Sequence, residues 1–275
     1  MIIRVLLSLT WLAANAGAQW INYPTAGTPR TKDGKPNLAA PAPKTRDGKP
    51  DLSGIWQSLP PAKDIASSRW PQGAAGNGFG NADANIFDLE NYLLEGAKIS
   101  MKPASEELFR QRMQSLGAAR PSGRCLPHGI PDAMLIPVAF KIVQDPGLTL
   151  ILYEEFNHYR QIFTDGRPHP ADPNPAWFGY SIGKWDRDTF VVDTVGFNDQ
   201  SWLDDHGHPH SDALHTIERF RRRDFGHMEI QVTIDDSKAY TSPWTTAIQF
   251  RLLPDTDLIE DVCDNEKDAR HAVGK

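Results

Sequence analysis

His227–Asp236 reads HMEIQVTIDD, in which Met228, Ile230, Val232 and Ile234 alternate with Glu229, Gln231, Thr233 and Asp235. An extended chain turns successive side chains to opposite faces, so this stretch predicts a strand with one buried and one wet side. Similar segments flank it. LHTIERFRR (Leu214–Arg222) leads into it through RDFG, and TFVVDTVGF (Thr189–Phe197) follows GYSIGKWD (Gly179–Asp186) through a turn at Asp186–Asp188. Further upstream, AFKIVQ and LTLILYEE flank the turn tripeptide Asp145-Pro146-Gly147, and NHYRQIFT (Asn157–Thr164) comes almost at once; downstream lie WTTAIQFRLL and LIEDVC (Leu258–Cys263). Roughly nine to ten strands in hairpin succession, with no long helix between them, predict a mainly β fold: an antiparallel up-and-down β-barrel. Closure removes exposed edges, and about eight strands leave room for one small ligand. A β-sandwich is the alternative.

Outside this series the chain changes character. MIIRVLLSLTWLAANAGAQ has one basic residue, Arg4, then an apolar run from Val5 to Ala14 and small residues to Ala18. That layout predicts a secretory signal peptide over 1–18, since the run is too short to cross ~30 Å of hydrocarbon at ~1.5 Å per residue. No later segment is long and apolar enough to span a membrane, so a periplasmic or secreted location is expected. TKDGKPNL (Thr31–Leu38) returns as TRDGKPDL (Thr45–Leu52), and residues 19–50 read as an extended arm that could hold a partner. Residues 51–275 read as one barrel domain with a helical insertion near 83–117. In the insertion, Ile86, Leu89, Leu93 and Leu94 fall at helical spacing, and Pro103 and Gly117 bracket a second helix.

The formal net charge of -6 excludes a basic footprint for nucleic acid, and the dense run Arg219–Arg223 reads as a solvated strand edge. Two cysteines, Cys125 and Cys263, predict a disulfide in an exported chain. There is no Gly-x-Ser-x-Gly elbow, phosphate loop, dinucleotide fingerprint or His-Glu-x-x-His helix.

DLSGIW, with Gly54-Ile55-Trp56 entering a strand, resembles the Gly-x-Trp that opens lipocalin-like barrels, which implies a Trp plugging one end. Over nearly the whole mature chain the sequence is similar to an uncharacterised family of secreted soil-bacterial proteins, through DGKPDLSGIW, TDGRPHP (Thr164–Pro170), DTFVVDTVGFND (Asp188–Asp199) and HPHSDALHTIERFRR. That resemblance implies one folded exported module and brings no chemistry with it.

Four groups could carry chemistry. His206, His208 and His210 alternate in a Gly/Pro-interrupted stretch. They could offer imidazole to Zn or Cu, with Asp204, Asp205 or His215 completing the set, or could form only a polar loop. His158 could move a proton and Arg160 could steady negative charge, with Glu155 orienting either one; an ordinary wet sheet face is the competing reading. Asp193 interrupts an apolar strand, so Arg160 or Arg219 is expected to pair with it, and His215 with Glu218 could join the same site. The aromatics Trp177, Phe178, Tyr180, Trp185, Phe197 and Trp202 lie within a short span and, with Tyr159, could line a pocket or simply fill the core. The reading is an exported barrel that takes a small apolar or aromatic molecule into its lumen. It would act as a binding protein or as a metal-free acid/base isomerase, lyase or hydrolase using His158, Arg160, Asp193, His215 and Glu218. A divalent-metal-binding protein built on His206–His210 is the alternative, and an interaction module using the arm is another. No cofactor is expected unless the histidine loop takes a metal.

Overall fold

Strands that each carry one apolar face can bury those faces together by curling the sheet on itself. The computed structural model describes residues 23–61 and 88–263, and there the chain does this. The strands are β1 Gly54–Ser58, β2 Phe140–Asp145, β3 Leu148–Tyr153, β4 Tyr159–Phe163, β5 Tyr180–Asp186, β6 Thr189–Val195, β7 His215–Arg222, β8 His227–Asp235 and β9 Trp244–Leu252. They form a closed barrel in sequence order, with β1 pairing β9. The expected signal peptide, Ile86 and the first residues of the expected insertion (83–87) lie outside the described residues.

Every neighbouring pair runs antiparallel except β4 and β5. Nine strands cannot alternate in direction all the way around a ring, so at least one pair must be parallel. The long connection 164–179 allows it at β4–β5. LIEDVC does not become a tenth strand, because β1 and β9 close the ring and leave no edge to extend; Ile259 and Val262 are exposed. Leu89–Tyr92 forms a 3-10 turn rather than the expected helix, while α1 spans Pro103–Gln114 with proline in its first turn. A one-turn helix, α2, covers Asp132–Leu135. No helix among the described residues is long and apolar enough to cross a membrane.

The interior is packed. On β8, Met228, Ile230, Val232 and Ile234 are buried opposite Phe250, Ile248, Thr246 and Trp244 of β9. Phe140 meets Phe250 at 5.5 Å between ring centroids, and Phe190 meets Phe220 at 6.0 Å. At one end Trp56 is fully buried, its indole N–H donating to the Leu52 carbonyl at 2.9 Å, with the Arg222 guanidinium 4.9 Å above its ring. Arg222 therefore leaves the solvated edge expected of Arg219–Arg223 and caps the barrel. These side chains fill much of the lumen that the sequence suggested for a ligand.

The arm lies against the body. Each DGKP copy makes the same tight turn: Thr31 N–H donates to Lys35 O and Thr45 N–H to Lys49 O, both at 2.8 Å. Arg30 pairs with Asp255 at 2.6 Å, and the amides of Phe225 and Gly226 donate to the carbonyls of Ala40 and Leu38. The expected disulfide is present: Cys125 and Cys263 are bonded across 138 residues.

Candidate functional site

The parallel pair leaves an opening in the wall. β4 and β5 are in register only at Ile162↔Ser181 and Phe163↔Ile182, so Tyr159–Gln161 and the segment ahead of β5 diverge. That segment is held toward β6 instead. The Ala176 amide donates to Gly196 O at 3.0 Å, and Gly179 has φ +60°, where an added Cβ would lie 2.7 Å from Val195 O. A side chain there has neither the conformation nor the space. The resulting cleft has a volume of about 450 Å³. Its walls include His158, Tyr159, Phe163, Trp177, Phe178 and Tyr180. Phe163 and Tyr180 stack at 5.2 Å, as do Tyr153 and Phe178.

The floor of the cleft is Arg160 and Ser181. Four successive strands each contribute one polar side chain here. Arg160 Nε donates to Ser181 Oγ at 3.0 Å, Nη1 to Glu218 Oε1 at 3.0 Å, and Nη2 to both Thr194 Oγ1 at 2.9 Å and Glu218 Oε2. The ion pair is 1% and 0% exposed. Burial works against the charge on Arg160, but Glu218 more than offsets it and holds the guanidinium above its ordinary range. The pair thus makes the floor polar but electrically neutral. His158 lies among the rings of Phe156 and Phe178, and burial lowers its basicity.

The remaining residues singled out in the sequence are divided. Asp193 and His215 lie on the outer face of the wall, opposite in side to Arg160 and Glu218. Asp193 is not paired with Arg160 or Arg219. Its Oδ1 is 2.9 Å from His215 Nε2 and 2.8 Å from His169 Nε2, and it keeps 35% exposure, which removes the need for a buried cationic partner. Five residues considered as one acid–base group therefore occupy two places. Tyr159 and Tyr180 line the cleft, whereas Trp185 packs on Phe190 at 5.1 Å and Trp202 is buried beneath the Arg112 guanidinium at 4.4 Å.

His206, His208 and His210 are all buried, but each turns to a different partner. His206 Nδ1 is 3.2 Å from Asp88 Oδ2, and His208 Nδ1 is 2.6 Å from Asp204 Oδ2. His210 Nε2 is 2.7 Å from Ser201 Oγ, and its Nδ1–H donates to Ser211 O at 3.0 Å. The loop organises itself around Asp204, which also accepts from the amides of Leu89, Gly207 and His208. Burial works to raise the Asp204 carboxyl, yet His208 holds it below its ordinary range, while Asp204 in turn raises His208.

His210 behaves oppositely, since burial lowers its basicity. Its folded form stays neutral where an unfolded histidine gains a proton near pH ~6.5, so stability falls as pH drops below that point. An NMR titration is expected to place the His210 midpoint below the ~6.5 of an unfolded histidine, and a midpoint at or above that value would contradict it.

Some relevant residues carried no local signal. Phe163 sits at a seam that the chain's periodicity does not announce, and His169 reaches Asp193 from a loop, whereas Trp177 and Phe178, singled out among the aromatics, do line the cleft. His128 and Asp132 straddle Gly-Ile-Pro, and only their four-residue spacing hinted that they meet. No family model, curated protein or solved structure matches the chain.

Proposed function

We propose that the protein is an exported β-barrel that holds a small, flat, largely apolar molecule in the wall cleft between β4 and β5. The cleft itself carries this reading: about 450 Å³ with aromatic walls and a floor whose charge is neutralised by Glu218. Sites for small molecules have volumes of roughly 300–1,000 Å³, and aromatic rings favour flat partners through offset stacking. A neutral polar floor gives a ligand hydroxyl a place to bond without selecting for net charge. Export is supported by the leader-like residues 1–18 and by the disulfide, a bond that oxidising compartments preserve.

Binding is favoured over turnover by the ionisable groups at the cleft. His158 is the lining side chain suited to proton transfer near neutrality. Among the described residues, its ring makes no hydrogen bond or ion pair that would fix a tautomer. Glu218 is committed to Arg160, and Asp193 serves His169 and His215 across the wall.

Calorimetric titration with indole or 2-naphthol tests the assignment. Ala176→Trp, which fills the cleft, is expected to lower affinity at least about tenfold, or ~1.4 kcal/mol. His158→Ala should leave affinity within a few-fold. Absence of saturable binding by either compound, or unchanged binding by Ala176→Trp, would overturn the reading.

A further inference from the structure

The loops closing the Trp244 end of the barrel bury a second set of ionisable groups. His128, Asp132 and Asp205 each place a ligand atom within 4.8 Å of the other two. Gly129 makes the approach possible. At φ +83°, with space for an added Cβ closed off by Ser201 Oγ at 2.6 Å, it turns the chain so that His128 and Asp132 face each other. His128 Nδ1 is 3.0 Å from Asp132 Oδ2, and its Nε2 is 3.1 Å from Glu155 Oε1. Arg120 Nη1 donates to Asp205 Oδ2 at 2.8 Å.

Two features separate this group from an ordinary polar network. First, its atoms are not all used. Asp132 is 2% exposed and Asp205 8%, and Oδ1 of each has no hydrogen-bond partner. A buried carboxylate oxygen without a partner is costly, so such atoms call for an explanation. Second, its charges do not balance. Asp132, Asp205 and Glu155 face one guanidinium, that of Arg120, which leaves two negative charges when all three carboxylates are ionised.

We infer that His128, Asp132 and Asp205 hold a divalent cation, with Glu155 as the positioning residue that accepts a hydrogen bond from His128 Nε2–H and so presents Nδ1 to the metal. Two positive charges complete the balance, and a cation would give the unpartnered carboxylate oxygens of Asp132 and Asp205 a partner. A carboxylate behind a ligating imidazole fixes its tautomer and raises its basicity. One nitrogen with carboxylate oxygens suits Zn²⁺ or a first-row transition ion, whereas Ca²⁺ and Mg²⁺ favour oxygen alone. The site differs from the histidine stretch first considered: it uses none of His206, His208 and His210. Pro127, next to His128, lines the cleft, so the cation would stiffen the wall behind the ligand.

The full chain, produced with its disulfide, without a polyhistidine tag and stripped by chelator, is titrated calorimetrically with Zn²⁺, Mn²⁺ and Ca²⁺. One equivalent of Zn²⁺ is expected, bound more tightly than Mn²⁺, with Ca²⁺ weakest. Asp132→Asn and Asp205→Asn, near-isosteric, should each weaken Zn²⁺ binding by at least about 100-fold, and Glu155→Gln by about 10–100-fold. Circular dichroism establishes that each variant folds, and Glu155→Gln, nearer the surface, decides the matter if the aspartate variants do not. Substoichiometric Zn²⁺ that dialysis removes from the wild type, or affinity within threefold of wild type in a folded variant, would overturn the assignment. Because indole titration needs no metal, its outcome is independent of this one.

Discussion

Glu218→Ala is expected to destabilise the barrel by about 3–5 kcal/mol, measured by urea denaturation at neutral pH. The substitution removes few contacts, and the cost comes from what is left behind. Arg160 cannot shed its proton, its side chain is 1% exposed, and the Ser181 and Thr194 hydroxyls alone cannot neutralise a guanidinium. Removing both charges should cost far less: Arg160→Met with Glu218→Leu is expected to recover most of the loss, because an apolar pair of similar volume carries no desolvation penalty. Where Glu218→Ala remains folded, its cleft has a positive floor and should gain affinity for benzoate. A loss under about 1 kcal/mol would mean that water reaches the pair.

Reducing the disulfide should be comparably damaging. Cys125 and Cys263 close a loop spanning 138 residues, for which the chain-entropy model gives about 5 kcal/mol at 25 °C. The bond anchors a C-terminal segment otherwise held by surface polar contacts, among them Lys141–Asp257 and the Ile259 amide to Glu154, with Ile259 and Val262 exposed. The expected result is a matching fall in unfolding free energy for the Cys125→Ser/Cys263→Ser variant. Fraying should begin at residues 253–263, seen as loss of amide protection there. A change below about 1 kcal/mol would show that the reduced, unfolded chain retains enough structure to offset the gain.

The strands were legible because each announces itself locally. Met228 through Ile234 alternate with polar residues because one face of β8 is wet, and His215 through Arg222 repeat that pattern. The end plug at Trp56 came from the likeness of Gly54-Ile55-Trp56 to a lipocalin-like opening, and Arg222 above it was not legible, since a run of arginines looks solvated until the fold buries one. Pairing direction has no such signature. Nothing in Tyr159–Phe163 distinguishes a strand with a parallel neighbour from one with two antiparallel neighbours, so the β4–β5 seam and its cleft stayed hidden. Asp193 misled for a related reason. An acidic residue in an apolar strand suggests burial, but alternation places it outward, beside His169 and His215. The polar cluster was least visible: His128, Asp132, Glu155 and Asp205 come from three separate loop regions, and their convergence is a property of the closed end.

The central claim is that the barrel's interior is full and that a ligand is held in its wall. Titrating ¹⁵N-labelled protein with a library of flat aromatic fragments, while following backbone amide shifts, tests this most directly. The account predicts saturable shifts concentrated in residues 157–163 and 176–181, with Phe190, Phe220, Ile230 and Ile248 unmoved. Shifts centred on those four interior positions, with the seam undisturbed, would contradict it.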